Sequence, residues 1–262
     1  MSLINFKLKH PADITPWGSV SWFVLSDGEY WIDLGEVNFY EITEAAQKEF
    51  DDTGSKFVDY QLARLIEDFS ELFEHISEPV PVDFYELAKT ENALFDFYTR
   101  ANAKVNDLND DNISDNEFYR IHKVAQWISD RALTAMHLSS NPTICFFRFG
   151  DKISLVWNAE RTTENGSQLW TANKGNIELD YVNFVQEIEA FKQQVFSAME
   201  TQIQIANSMD WGNIQVDKSR RLTEQVERKE DFETRIKFLS GVSKPTQTNW
   251  DEIRLIRNEL EI

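Results

Sequence analysis

Pro16–Ile42 reads PWGSVSWFVLSDGEYWIDLGEVNFYEI, and the rest of the chain is organised around it. Three of the eight tryptophans, Trp17, Trp22 and Trp31, fall in this stretch. Asp27-Gly28 separates two apolar, aromatic runs, SWFVLS and EYWIDL. Asp-Gly between such runs predicts a two-residue hairpin, because both central residues of a type I′ turn need positive φ. Gly35 allows a second reversal, and Val37–Ile42 reads as a third strand. A sheet this aromatic needs helices to bury it. Trp22 and Trp31 are expected to lock it against the first helix downstream. The aromatic cluster reads as core and cross-strand pairs in preference to a platform for stacking sugars or bases.

Upstream, Leu3–Leu8 alternates apolar and polar residues and predicts a strand. Downstream, Thr43–Phe50 predicts a short helix. Phe57–Ile76 predicts a long one, with Val58, Leu62, Leu65, Phe69, Leu72, Phe73 and Ile76 at three- and four-residue steps. Glu67, Glu71, Glu74 and Glu78 line another face of it. Pro79 and Pro81 end it. Asp83 to about Val105 predicts a second helix. Ser114 with Glu117 has capping-box spacing, so a third is expected from there to Met136. Thr143–Phe149 and Lys152–Asn158 flank Gly150-Asp151, a second hairpin signal. With LWTAN (169–173) and IELDY (177–181) they predict a four-stranded meander. Val182–Met209, Asp217–Leu239 and Trp250–Leu260 predict three further helices. The fold class is therefore α+β: antiparallel hairpin and meander elements with five to six helices packed on them. Residues 1–211 are expected to form the core domain, with 212–262 a helical extension packed on it.

The chain has 262 residues, 42% hydrophobic and 27% charged, as a folded protein should. Cys145 is the lone cysteine, which excludes an intrachain disulfide and a cysteine-based zinc site. It lies in the strand-like ICFFRF and reads as a small core residue. The start, MSLINFKLKH, shows no signal-peptide pattern. No run approaches the ~18 apolar residues of a membrane span. The expected location is the cytoplasm.

The segments PWG, SWFVLSDGEYWIDLG, VDYQLARLIEDFSELF with EPVP, FRFGDKISLVWN and LWTANKGNIELDYVNFVQEIEAF together resemble an uncharacterised bacterial family of unknown function. The resemblance covers roughly residues 4–211, and it implies no activity and no catalytic residues. Families of this type resemble immunity proteins of toxin systems, by kind and not by motif.

No catalytic, cofactor or metal motif is legible. His10, His75, His122 and His137 include no pair four apart on a helix, and HExxH is absent. Asp107, Asn109, Asp111 and Asp115 have calcium-loop spacing. Asn112 stands where that loop needs glycine, and Phe118 where it needs a bidentate glutamate, so the motif fails. GxxxxGK[ST], GxGxxG and GxSxG do not occur.

Charge is the strongest functional signal. The chain carries 45 acidic and 26 basic residues, net −19. Residues 41–117 alone hold 20 acids and 6 bases. Such a field repels phosphate backbones and anionic membranes and steers basic proteins. The expected function is an acidic protein-binding module of immunity type that occludes a basic toxin domain. The expected contact residues are Glu67, Glu71, Glu74 and Glu78, with Asp107, Asp110 and Asp111 as a second patch. The alternatives are an enzyme with an acidic pocket, a hydrolase or transferase, and a housekeeping protein whose acidity serves solubility.

Overall fold

Residues 2–16, 18–50, 54–107, 114–138, 142–214 and 216–262 are described by a computed structural model. Its elements in chain order are β1 (Ile4–Leu8), α1 (Trp22–Leu25), β2 (Asp27–Asp33), β3 (Asn38–Phe39), α2 (Glu44–Glu49), β4 (Val58–Gln61), α3 (Leu62–Glu71), α4 (Phe73–Ser77), α5 (Val82–Ala88), α6 (Glu91–Asp107), α7 (Asp115–Ser129), β5 (Ala132–Thr134), β6 (Thr143–Phe149), β7 (Lys152–Asn158), β8 (Lys174–Asp180), α8 (Tyr181–Ser208), α9 (Lys218–Leu239) and α10 (Trp250–Glu259). Among the described residues, two antiparallel four-stranded sheets and ten α-helices make the fold α+β, with more helices than the five to six expected.

β2 is the centre of the first sheet. It buries Gly28, Tyr30 and Ile32 in strict alternation, the period of a strand with one face on a core. β1 lies on one edge, with Phe6 opposite Tyr30. On the other edge β4 sets Val58 opposite Tyr30, and β3 sets Phe39 opposite Ile32.

The expected hairpin at Asp27-Gly28 is not formed. Ser21 accepts a hydrogen bond from the Val24 amide at 3.3 Å and caps a one-turn helix, α1, where a strand was expected. Gly28 lies inside β2, opposite Leu8 and Tyr60. Its missing side chain permits close strand approach: a Cβ there would collide with the Lys7 carbonyl and lie 2.8 Å from Leu8 Cα. The glycine serves contact rather than reversal. Trp22 and Trp31 also part company. Trp22 packs on Phe196 of α8 and donates its indole N–H to Gln225 of α9 at 2.5 Å, whereas Trp31 stacks on Phe57 at 4.0 Å.

Other boundaries move for similar reasons. Val58–Gln61 pairs with β2 as an edge strand, so the expected 57–76 helix starts at Leu62 and breaks at Leu72. The expected second helix divides at Thr90, whose hydroxyl accepts from the Ala93 amide at 3.4 Å. The third ends at Ser129, which frees Ala132–Thr134 to pair with β6. LWTAN is outside both sheets and pairs with the chain after β3 through an isolated Ile42–Trp170 bridge.

The second sheet runs β5-β6-β7-β8. Its inner strands, β6 and β7, bury both faces. Ile144, Phe146, Ile153, Leu155 and Trp157 face a core built with the first sheet, α3, α4 and α8. Cys145, Phe147 and Val156 face a second core with α5, α6, α7 and α10. This sheet is therefore a septum between two cores. Burial pushes the Cys145 thiol up to about 12, as befits a core residue and not a nucleophile. The C-terminal segment spans both cores: Phe232, Ile236 and Leu239 of α9 join the first, and Ile253 and Ile256 of α10 join the second.

Candidate functional site

Leu62, Leu65, Ile66, Phe69, Phe73 and Ile76 bury one side of α3 and α4. That leaves the glutamates on the opposite side, and the structure gathers all four into one row against the chain's own C-terminal segment. Glu67 pairs with Arg228 of α9, and with Arg64 at 3.3 Å. Glu71 lies 3.9 Å from Arg235 and keeps 65% of its side chain in solvent. Glu74 accepts the Thr246 amide at 2.8 Å, and that bond holds its carboxyl below the usual glutamate range.

Glu78 is only 2% exposed. It accepts from the Thr248 amide at 2.8 Å, the Thr248 hydroxyl at 2.5 Å, the Trp250 indole at 3.2 Å and Arg131 Nη2 at 2.6 Å. Arg131 also donates to the Trp127 carbonyl at 2.9 Å and lies 5.4 Å from the Trp250 ring. Nearby, Asp83 takes both arms of Arg254 at 2.8 and 2.9 Å, which holds its carboxyl low.

The row is thus a seat for residues 228–250 and not an open face. Much of the acid excess over 41–117 meets cations from outside that segment: Lys9 on Asp59, Arg120 on Glu117, and Arg131, Arg228, Arg235 and Arg254 on the row and its flank. Most of these pairs are half exposed, where each contributes about 0–1 kcal/mol. Glu78 with Arg131 is withdrawn from water and belongs to a different regime.

The second expected patch is differently placed. Asp107 ends α6 and is exposed. Asp110 and Asp111 lie outside the described residues. Asp115, the first residue of α7, is also exposed. Neither Asp107 nor Asp115 has an ion pair among the described residues.

One constellation has no sequence signal, because its members are far apart in the chain. The Tyr30 hydroxyl meets His137 Nε2 at 2.9 Å, and His137 Nδ1 is 3.7 Å from Asp68. The Tyr60 ring stacks on His137 at 4.6 Å, and Tyr40 abuts Tyr30 edge-on at 5.4 Å. Burial raises the Tyr30 phenol and the Asp68 carboxyl; burial, then Arg64, lowers His137. The phenol stays protonated and the imidazole neutral, so Tyr30 donates and Nε2 accepts. The order hydroxyl–imidazole–carboxylate is that of a nucleophilic triad. Tyr30, however, is fully buried. Its oxygen fastens β2 to the turn after β5. Among the described residues, no group of three or more His, Cys, Asp and Glu side chains is placed to hold a metal ion. Also among them, no helix is long and apolar enough to cross a membrane.

A family model described as Family of unknown function (DUF5984) matches residues 3–256, nearly the whole chain. The chain belongs to that family. No curated protein and no solved structure matches it.

Proposed function

We propose that this member of the family is an acidic protein-binding module, of the immunity type, that captures a basic protein such as a toxin domain and occludes it. The net charge of −19 supports this reading, because summed charge steers encounter with a basic surface. The same field disfavours direct nucleic-acid and anionic-membrane partners. The cytoplasm is where such a partner is met.

The observation that carries the reading is the contrast between the two acidic patches. Glu67, Glu74 and Glu78 are committed to the chain's own C-terminal segment. Asp107 and Asp115, on either side of residues 108–113, have no such commitment among the described residues. Residues 106–117 hold five acids and no basic residue, and Asp107 and Asp115 stand exposed and unpaired among the described residues. We therefore assign the docking surface to Asp107, Asp110 and Asp111, with Asp115. Glu67, Glu71, Glu74 and Glu78 become residues that hold the scaffold together.

The test uses the basic product of an adjacent gene, or a basic protein captured from the native cell and then purified. Its association with the chain is timed at several salt concentrations. Reversing Asp107, Asp110 and Asp111 to lysine slows association about tenfold or more and flattens its salt dependence. An unchanged on-rate and salt slope removes these residues from the interface.

A further inference from the structure

The loop 18–21 and the first turn of α9 enclose a cleft of about 450 Å³, lined by those four loop residues and by Asp217, Arg220 and Arg221. Arg221 is 1% exposed, yet among the described residues none of its three guanidinium nitrogens has a hydrogen-bond partner. A guanidinium carries five N–H donors, and native proteins rarely bury such a group unanswered. Two carboxylates stand near it, and both are spent elsewhere. Asp217 caps α9 by accepting the Arg220 amide at 2.9 Å. Glu224 accepts the Trp22 amide and Arg220 Nε, each at 2.9 Å.

The rest of the lining is also rich in donors. Gly18, Ser19 and Val20 make no main-chain hydrogen bond among the described residues. The Ser21 hydroxyl accepts from Val24 and keeps its own proton to give. Gly18 has φ +79°, and nothing lies within 4 Å of where its Cβ would be. The 22-residue helix α9 adds the positive end of its dipole.

We propose that this cleft binds a small phosphate ester, with Arg221 as the fork that takes two of its oxygens. A tetrahedral oxyanion offers more acceptors than a carboxylate, and the cleft supplies more donors than a carboxylate can use. The guanidinium is shielded from bulk water, so the ligand reaches it as Gly18 and Ser19 turn aside, while Val20 stays in the core and Ser21 keeps the Leu25 amide. That movement breaks no main-chain hydrogen bond of Gly18 or Ser19 among the described residues. The site shares no residue with the acidic patch of the proposed function and stands or falls independently of it.

Thermal unfolding and calorimetry of the full chain test this with inorganic phosphate and glycerol 3-phosphate, against sodium chloride and sodium acetate at equal ionic strength. Both phosphates are expected to raise the unfolding midpoint. At about 100-fold above Kd the unfolding equilibrium shifts about 100-fold. Arg221→Met removes the shift. Arg221→Lys keeps the charge, loses the fork and weakens binding at least about tenfold. Should Arg221→Met not fold, Ser19→Ala combined with Arg220→Gln, both at the cleft's rim, must weaken phosphate binding. Four results overturn the proposal: no phosphate effect beyond that of chloride, acetate matching phosphate, binding of inorganic phosphate without the ester, or full phosphate response in the Arg221 variants.

Discussion

Arg131 and Arg221 are both withdrawn from water, at 0% and 1% exposure, yet their surroundings are opposite. Arg131 sits just after α7, where Glu78 and the Trp127 carbonyl take its Nη nitrogens and only its Nε lacks an acceptor. Glu78 in turn is saturated by Thr248 and Trp250, so the pair closes a knot between the septum sheet's flank and the lead-in to α10. Arg221 sits in the first turn of α9, beside a cleft, with no hydrogen-bond partner for its guanidinium among the described residues. Burial alone therefore does not say what a charge does. A buried cation with a saturated carboxylate fixes structure, and one facing an open cleft is held ready for something to fill it.

The largest expected effect comes from breaking the knot. Glu78→Ala leaves the Arg131 guanidinium buried and unpaired, and removes the acceptor of the Thr248 and Trp250 donors as well. It is expected to cost about 3–5 kcal/mol in urea denaturation. The double variant Glu78→Leu with Arg131→Met removes both charges and is expected to recover most of that loss, since an apolar pair of similar volume replaces a buried ion pair at little cost. A loss below about 1 kcal/mol for Glu78→Ala sinks the claim that this carboxylate anchors the segment.

The second arginine predicts the opposite sign. Arg221 carries an unmet desolvation cost and has no bond to lose. In phosphate-free buffer, Arg221→Met is expected to stabilise the chain by about 1–3 kcal/mol, the cost of leaving such a group unsatisfied. Destabilisation of similar size means that Arg221 is paired in solution, and the contrast with Arg131 disappears.

Neither arginine could be singled out from the sequence. Glu78 and Arg131 are 53 positions apart, and Arg221 lies 203 positions after Gly18. Only the packing of α9 and α10 brings these residues together. What the sequence does show is local. The stripe along α8, the Gly150-Asp151 hairpin and the Ser114 cap were legible because each is a pattern within a few turns of chain. The row Glu67–Glu78 was legible as a row for the same reason, but its occupant was not, since α9 reads alone as an exposed helix of mixed charge. Asp27-Gly28 misled in the other direction. Its local signal is a turn, and the close approach of the Lys7–Leu8 backbone overrides it.

A third test concerns the Tyr30–His137–Asp68 fastening, a buried site that titrates where the two arginines do not. His137 is lowered in the fold, by burial first and then by Arg64. The unfolded chain therefore takes up a proton earlier, near the ordinary histidine value of about 6.5. The contribution is fully present above about 6.5 and is lost as pH falls from there through the folded value. Asp68, raised by burial, acts the opposite way below it. Replacing His137 with Phe lowers stability throughout, through loss of the Tyr30 bond, and flattens the fall in stability below about pH 6.5. A slope unchanged by that replacement places the proton uptake elsewhere.

The smallest effects belong to the half-exposed pairs of the same seat, and they sharpen the comparison from its other end. Arg228 meets Glu67, and its guanidinium lies 4.7 Å from the Trp22 ring, so Arg228→Ala removes an ion pair and a cation–π contact together. The expected cost is about 1 kcal/mol. Arg235 lies 3.9 Å from a Glu71 that is mostly solvated, and Arg235→Ala is expected to cost no more than about 0.5 kcal/mol. Double-mutant cycles separate pair energy from lost packing. Glu67 with Arg228 should couple by less than about 1 kcal/mol, and the coupling should shrink in high salt because both side chains reach solvent. Glu78 with Arg131 should couple several-fold more strongly and resist salt. Equal coupling at the two ends of the row makes it a uniform electrostatic clasp; the unequal coupling expected here makes it one buried anchor with a screened and replaceable rim.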